Sequence, residues 1–104
     1  MRAIMIVTGA MALTLAAAVT HAADGEEVYR SGSMPPCSSC HDTGAAGAPK
    51  VGDAASWGDS IDADVATLVQ SVKDGKGIMP AYEGKNSEEE LTAAVNWMLE
   101  QSKE

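Results

Sequence analysis

The feature that most constrains this chain is the segment CSSCH at positions 37–41. It holds both cysteines of the sequence, and His41 follows Cys40 directly. Residues three and four apart on a helical turn share one face, so Cys37, Cys40 and His41 can present their side chains to the same group. The C-x-x-C-H pattern is typical of c-type haem attachment. It predicts one covalently bound haem c, with Cys37 and Cys40 as thioether links and His41 as an axial ligand of the iron.

Residues 1–22 have the pattern of an export signal. Arg2 supplies a positive start, an apolar run extends from Ala3 to Ala18, and small residues surround Ala22. The run is shorter than the roughly 20 residues that span a bilayer, which disfavours an uncleaved anchor. We expect cleavage after Ala22, with Ala23 as the second choice. One soluble periplasmic domain, residues 23–104, would remain, with no stable insertion into a membrane.

Two other interpretations of the cysteine motif are weaker. A structural zinc site needs about four Cys or His ligands. The mature chain offers only Cys37, Cys40 and His41, because His21 would leave with the leader. A thiol oxidoreductase would place C-x-x-C at the start of a helix that follows a strand. Here Met34-Pro35-Pro36 precedes the motif, and no strand pattern stands before it.

The rest of the chain predicts helices joined by glycine- and proline-containing loops. Helix starts are indicated by N-cap residues, and apolar residues recur at helical spacing. The predicted helices run from the N-cap Asp24 to before Gly32, from about 63 to 74, and from the capping box of Ser87 and Glu90 to about Ser102. We expect loops at 44–57 and 75–86. No stretch alternates like a strand, so the fold is predicted to be all-α.

The composition explains why such a domain needs a large cofactor. The chain has no Phe, two Trp and two Tyr, and much of its 45% hydrophobic content is alanine in the leader. At about 80 residues an apolar core alone gives little stability, and small domains usually add a staple. Two cysteines exclude a framework of several disulfides. A haem enclosed by the chain would supply the missing apolar core.

The second axial position of the iron needs a ligand or stays open. Loss of the leader removes the second histidine, which leaves Met34, Met79 and Met98 as protein donors. Met34 is tethered to the histidine side by its closeness to Cys37. Met98 lies on the apolar stripe of the last predicted helix, where methionine usually fills a core. Met79 lies in a glycine- and proline-containing loop between two helices, and its soft thioether suits haem iron. We therefore predict Met79 as the second axial ligand.

With these residues the chain resembles the class I c-type cytochromes, and most of all the small bacterial cytochrome c-five group. The resemblance extends from Gly25 to Met98. Its motifs are Gly25-x-x-x-Tyr29, CSSCH at 37–41, GAPKVGD at 47–53, Trp57, Gly77-Ile78-Met79-Pro80 and ELTAAVNWM at 90–98. Two departures are the long link RSGSMPP at 30–36 and the absence of the cysteine pair that this group often carries after the methionine loop.

The resemblance implies a small class I cytochrome c fold of about four helices and loops around one haem. The first and last helices would cross near Gly25, and Tyr29 and Trp97 would be packing residues. The carbonyl of Pro49 would accept a hydrogen bond from the ring of His41 and so fix the imidazole. Trp57 would lie beside a haem propionate; a plain core tryptophan is the alternative.

These features predict a one-electron carrier that cycles between ferrous and ferric iron, and not an enzyme. With His41 and Met79 as ligands no metal position is open, and no general base or nucleophile is apparent. Two alternatives stay open. One is a haem enzyme or gas sensor in which the flexible segment 75–77 releases Met79. The other is a haem subunit that works only when docked to a periplasmic oxidoreductase.

The net charge of the chain disfavours some classes of binding partner. It has 15 Asp and Glu against 7 Lys and Arg, and loss of Arg2 with the leader brings the net charge near −9. Nucleic acid and anionic lipid are poor partners for such a surface. We expect a monomer that meets redox proteins with basic or neutral docking surfaces, unless the charge serves solubility alone.

Overall fold

The computed structural model describes residues 23–103. Within them lie five α-helices: α1 Gly25–Arg30, α2 Ser38–His41, α3 Ala54–Trp57, α4 Val65–Asp74 and α5 Glu88–Ser102. Two 3-10 helices, Ala45–Gly47 and Gly58–Asp62, complete these elements. The all-α prediction is confirmed, and the five α-helices of residues 23–103 agree with the expectation of about four. The predicted leader, residues 1–22, lies outside the described residues.

α1 begins as the sequence predicts. Oδ1 of Asp24 accepts hydrogen bonds from the backbone N–H groups of Glu26 and Glu27, at 3.1 and 3.4 Å. These bonds satisfy two donors that the first turn of a helix leaves without an intrahelical partner. The two glutamates also place negative charge at the helix N-terminus, where the macrodipole favours it. α1 ends at Arg30, before Gly32.

α5 is the longest helix of the described residues, and its capping box is present. The backbone N–H of Glu90 donates to Oγ of Ser87 at 3.1 Å, and the N–H of Ser87 donates to Oε1 of Glu90 at 2.9 Å. The helix reaches Ser102, as predicted. One stripe of α5 is buried, and it consists of Leu91, Ala94, Val95, Met98, Leu99 and Ser102.

α1 and α5 cross in close contact at Gly25. A β-carbon built on Gly25 would lie 2.8 Å from the carbonyl carbon of Ala93 and 2.9 Å from Cβ of Trp97. Both distances are too short for a side chain, so glycine allows this approach of the two helices. Beside the crossing, the rings of Tyr29 and Trp97 pack with centroids 4.8 Å apart. These are the packing roles that the resemblance implied.

The stretch 44–57 is more regular than predicted. We expected a loop, but it contains a 3-10 helix and α3. Ser56 stabilises α3, because its Oγ donates to the carbonyl of Asp53 at 2.7 Å and accepts from the N–H of Lys50 at 2.8 Å. Such turns depend on bonds between near neighbours and need no apolar periodicity, so a pattern of apolar residues does not reveal them.

The core lies between the long helices and the cysteine motif. α4 begins at Val65, slightly after its expected start, and ends at Asp74 before Gly75. Most of the buried apolar side chains form one cluster, which consists of Tyr29, Cys37, Trp57, Val69, Tyr82, Leu91, Val95, Met98 and Leu99. None of the helices between residues 23 and 103 combines the length and the hydropathy that a membrane crossing needs.

Candidate functional site

The cysteine motif forms one helical turn, as its spacing predicts. The carbonyl of Cys37 accepts hydrogen bonds from the N–H groups of Cys40 and His41, at 3.3 and 3.0 Å. Cys37 and His41 are buried, and Cys40 is half-buried. The two thiols are not joined in a disulfide. The turn therefore leaves both sulfur atoms available for bonds to another group.

The ring of His41 is fixed from two sides. Its Nδ1 lies 2.7 Å from the carbonyl oxygen of Pro49, which is the contact that the resemblance implied. A carbonyl only accepts, so Nδ1 carries the proton and Nε2 is the nitrogen that can bind a metal. The indole of Trp57 stacks on the imidazole, with ring centroids 5.8 Å apart and planes inclined by 13°. These contacts define both the tautomer and the orientation of His41.

Trp57 has its own hydrogen bond. Its Nε1–H donates to the carbonyl of Lys50 at 3.0 Å. An indole has one donor, so in this arrangement it is not free to bind a propionate. Trp57, the last residue of α3, is buried in the core and supports the ring of His41 in the turn of residues 37–41, here named the attachment turn. The predicted propionate contact stays a prediction, while the packing role that was its alternative is visible.

The chemistry of Cys37 disfavours a redox thiol. Burial raises the pKa of the Cys37 thiol, against a smaller opposing effect from the hydroxyl of Ser33. Thiol oxidoreductases instead lower the pKa of their attacking cysteine. No strand precedes the motif within residues 23–103, and no group of three or more Cys, His, Asp and Glu side chains there could hold a metal ion.

Met79 lies in a tight turn that follows α4. The N–H of Lys76 donates to the carbonyl of Met79 at 3.0 Å, and the N–H of Met79 donates back to the carbonyl of Lys76 at 2.9 Å. Gly77 has a φ of 60° inside this turn, a conformation that other residues seldom adopt. Met79 is half-buried and packs against the core cluster.

The other two methionine candidates have different surroundings. Met98 is 4% exposed and belongs to the core, in keeping with its predicted filling role. Met34 is 72% exposed. Of the three sulfur donors, Met79 is thus the one that lies on a loop and also contacts the core.

The comparisons with known proteins agree with this chemistry. A family model described as "Cytochrome C oxidase, cbb3-type, subunit III" matches residues 20–98. The chain is also 51% identical over 76 residues to a cytochrome c-551 of Halorhodospira halochloris, an alignment that covers 73% of this chain and 95% of that protein. The chain belongs to the class I c-type cytochromes. This cytochrome is an electron-transfer protein, and its cofactor is covalently bound haem c.

Solved structures share the fold of this cytochrome. The reduced cytochrome c551 of Ectothiorhodospira halophila is 46% identical, with a TM-score of 0.70 over 75% of this chain and 99% of that one. A chain of the crystal structure titled "electron transfer complex of nitrite reductase with cytochrome c" is 35% identical, with a TM-score of 0.66 over 76% of this chain and 94% of that one. The resemblance to class I is confirmed, and the closer likeness to the cytochrome c-five group stays a prediction.

The residues of this cytochrome fit a covalent haem. Cys37 and Cys40 supply two unpaired thiols on one turn, and each can form a thioether. Because Nδ1 of His41 is bound to Pro49, its Nε2 is left for the iron. The thioether of Met79 is a soft donor of the kind found in cytochromes c. The residues present therefore fit a covalent haem, and the assignment of His41 and Met79 as its iron ligands stays a prediction.

Two residues that contact this site were not predicted from the sequence. Ser33 is buried, and its Oγ accepts a hydrogen bond from the N–H of Cys37 at 3.3 Å. Tyr82 is buried, and its hydroxyl donates to the carbonyl of Pro35 at 2.5 Å. A lone aromatic residue in the polar segment YEGKN was a sign that Tyr82 packs inward. Nothing in the local sequence distinguishes Ser33 from an ordinary loop serine.

Proposed function

We propose that this cytochrome is a soluble one-electron carrier in which Cys37 and Cys40 hold the haem while His41 and Met79 fill both axial positions of the iron. Haem c, when bound, supplies an iron that alternates between ferrous and ferric states and so carries one electron. The observation that carries the proposal is the 2.7 Å contact between Nδ1 of His41 and the carbonyl of Pro49. This contact keeps the proton on Nδ1 and so leaves Nε2 as the nitrogen that can bind the iron.

The chain's own residues keep the site rigid and apolar. Pro49 and Trp57 hold the imidazole of His41 in one orientation, so little rearrangement accompanies a change of charge at this ligand. The tight turn of Lys76 and Met79 limits the motion of the second ligand. If His41 and Met79 both bind the iron, no coordination position would be left for a substrate. We therefore propose that this cytochrome has no catalytic activity of its own.

The proposal includes export and partners. Cleavage after Ala22 would release residues 23–104 into the periplasm as a monomer. The nitrite reductase complex shows that a relative with this fold meets a redox enzyme. We propose that this cytochrome likewise exchanges electrons with redox proteins. Its excess of acidic side chains favours basic or neutral docking surfaces.

A second candidate function is a haem subunit that works inside a larger oxidoreductase. The description of the matching family model, an oxidase subunit, is the observation that favours it. Affinity purification from the native host separates the two functions. A free carrier elutes as a single chain with the mass of residues 23–104 plus one haem. A subunit stays with its partner chains through size exclusion.

Absorption spectra of the purified protein test the closed site, and Met79→Ala is the decisive variant. We expect a low-spin ferrous spectrum, a weak near-infrared methionine-to-iron band in the ferric form, and no change on adding carbon monoxide. Met79→Ala should lose the near-infrared band, bind carbon monoxide promptly and lower the reduction potential, because the soft sulfur favours the ferrous state. Met34→Ala is the matched control and should keep the wild-type spectrum, since Met34 is 72% exposed.

Each other outcome points to a different function. If the wild-type protein is high-spin and binds carbon monoxide at once, the site is open and a gas sensor or haem enzyme replaces the carrier. If Met79→Ala has an unchanged spectrum, Met79 is not a ligand. If the protein binds no haem in a host competent for cytochrome c maturation, the cysteines do not attach haem and the thiol oxidoreductase interpretation replaces the carrier.

A further inference from the structure

The link that precedes the cysteine motif is bound to the loop that carries Met79. We name residues 31–36 the strap and residues 75–86 the methionine loop. The hydroxyl of Tyr82 donates to the carbonyl of Pro35 at 2.5 Å. Nδ2 of Asn86 donates to the carbonyl of Gly32 at 2.8 Å. Two side chains of the methionine loop are therefore bound to two carbonyls of the strap.

The strap is itself bound to α1 and to Cys37, the first residue of the cysteine motif. Oγ of Ser33 donates to the carbonyl of Val28 in α1 at 2.8 Å, and the N–H of Cys37 donates to Oγ of Ser33 at 3.3 Å. Ser33 is 4% exposed, so water does not compete for these bonds. The two bonds of Ser33 thus hold the strap, with its carbonyl acceptors, against α1 and Cys37.

Tyr82 connects the strap to the segment that carries Met79. Only Pro80 and Ala81 separate the two residues, and the ring of Pro80 limits the freedom of that segment. The backbone N–H of Tyr82 also donates to the carbonyl of Val72 in α4 at 3.0 Å. The segment that follows Met79 is therefore tied both to α4 and to the strap.

We propose that the hydrogen bond from Tyr82 to Pro35, assisted by that from Asn86 to Gly32, is a latch that keeps Met79 on the iron. The latch rests on the proposed function, in which Met79 is the second axial ligand. Tyr82 acts as a positioning residue: it never contacts the metal, but it ties the ligand loop to the strap. The latch connects the two departures from the c-five group, which are the long link before the cysteine motif and the absent cysteine pair after the methionine loop. Hydrogen bonds to the strap hold the loop that lacks a disulfide.

The direct test is carbon monoxide binding to the ferrous holoprotein with Tyr82→Phe, since carbon monoxide reaches the iron only when Met79 leaves. Phenylalanine keeps the buried ring and removes the donor. A hydrogen bond contributes about 0.5–1.5 kcal/mol, so we expect carbon monoxide to bind roughly two to ten times faster than in the wild-type protein. The near-infrared methionine band of the ferric form should also disappear at a lower concentration of denaturant.

Tyr29→Phe is the matched control. It deletes the same atom from the other buried tyrosine, whose hydroxyl donates to Asp42 and not to the strap. We expect a similar loss of global stability and carbon monoxide kinetics within a factor of two of the wild-type values. Equal acceleration in both variants would mean that general destabilisation, and not the latch, controls the ligand.

Asn86→Ala keeps the proposal testable if Tyr82→Phe does not fold. Asn86 is half-buried, and its replacement removes the second bond to the strap. We expect a smaller acceleration in the same direction. If the wild-type protein keeps its methionine band and both Tyr82→Phe and Asn86→Ala match it, the latch is refuted while the carrier function stands. If the wild-type protein lacks that band, the carrier function fails first and the latch with it.

Discussion

Both tyrosines of the chain are buried donors that connect segments distant in sequence. The hydroxyl of Tyr29 in α1 donates to Oδ1 of Asp42, just after the attachment turn. The hydroxyl of Tyr82 donates to the strap. Burial is the main reason why the pKa of each phenol is raised, for Tyr82 to about 12. Each phenol is therefore a neutral donor throughout the ordinary pH range.

At the residue scale we predict that neither tyrosine ionises near pH 10 in the folded protein. A free tyrosine has a pKa near 10. Because folding raises both values, the stability that they contribute is complete below pH 10 and is lost as the pH rises above it. NMR titration of ring-labelled tyrosine should show at most about a tenth of the full shift of either resonance by pH 11, with roughly normal titration in the urea-unfolded chain. A resonance that moves at pH 10 would show that its hydroxyl is accessible to water.

The crossing of α1 with α5 determines which side chains the two helices can carry. α1 is short and contributes little stability by itself. Its position depends on the absence of a side chain at Gly25, beside Ala93 and Trp97. The cap at Asp24 and the aromatic contact of Tyr29 then hold α1 on α5. Because the strap leaves from the end of α1, this packing also supports the proposed latch.

At the element scale we predict that Gly25→Ala is destabilising. The added methyl group would meet backbone and Cβ atoms, which cannot move aside like the end of a flexible side chain. Such overpacking typically costs about 1–3 kcal/mol of the free energy of unfolding. Denaturant unfolding of the holoprotein measures it. Asn96→Ala, an exposed change on α5, is the control and should stay within about 0.5 kcal/mol of the wild-type value. Equal stability of Gly25→Ala would mean that the helices can separate without cost.

The charge of the whole molecule affects how fast it meets its partners. The sequence has 15 Asp and Glu against 7 Lys and Arg. No acidic residue occurs in the strap or between Gly75 and Tyr82. The two largest exposed apolar side chains of the described residues, Met34 and Ile78, belong to these same segments. The long-range field of the protein is therefore negative, while the strap and the turn of Met79 carry no negative charge of their own.

At the scale of the whole molecule we predict faster oxidation by cations. At low ionic strength the ferrous protein should react at least about ten times faster with a cationic cobalt complex than with an anionic complex of equal size and driving force. The two rates should converge above about 0.1 M salt, where the Debye length falls to roughly 10 Å. Stopped-flow kinetics at several salt concentrations measure both. Rates that do not depend on salt would mean that the acidic surface serves solubility alone.

The sequence by itself determined the local chemistry. Spacing alone placed Cys37, Cys40 and His41 on one turn, because residues three and four positions apart lie on the same face of an α-helix. Caps and apolar stripes likewise predicted α1, α4 and α5. The helical turns in 44–57 were missed, since backbone and serine hydrogen bonds form them without an apolar pattern.

Only the tertiary structure decided which segments hold one another. Tyr82 and Pro35 are 47 residues apart, Asn86 and Gly32 are 54 apart, and each pair joins a side chain to a backbone carbonyl. Every residue has a carbonyl, so no residue type in the sequence marks an acceptor. Every residue except proline likewise has a backbone N–H, and that of Gly52 donates to Oγ of Ser102 across 50 residues. Such contacts depend on how the helices pack, and periodicity describes each helix separately.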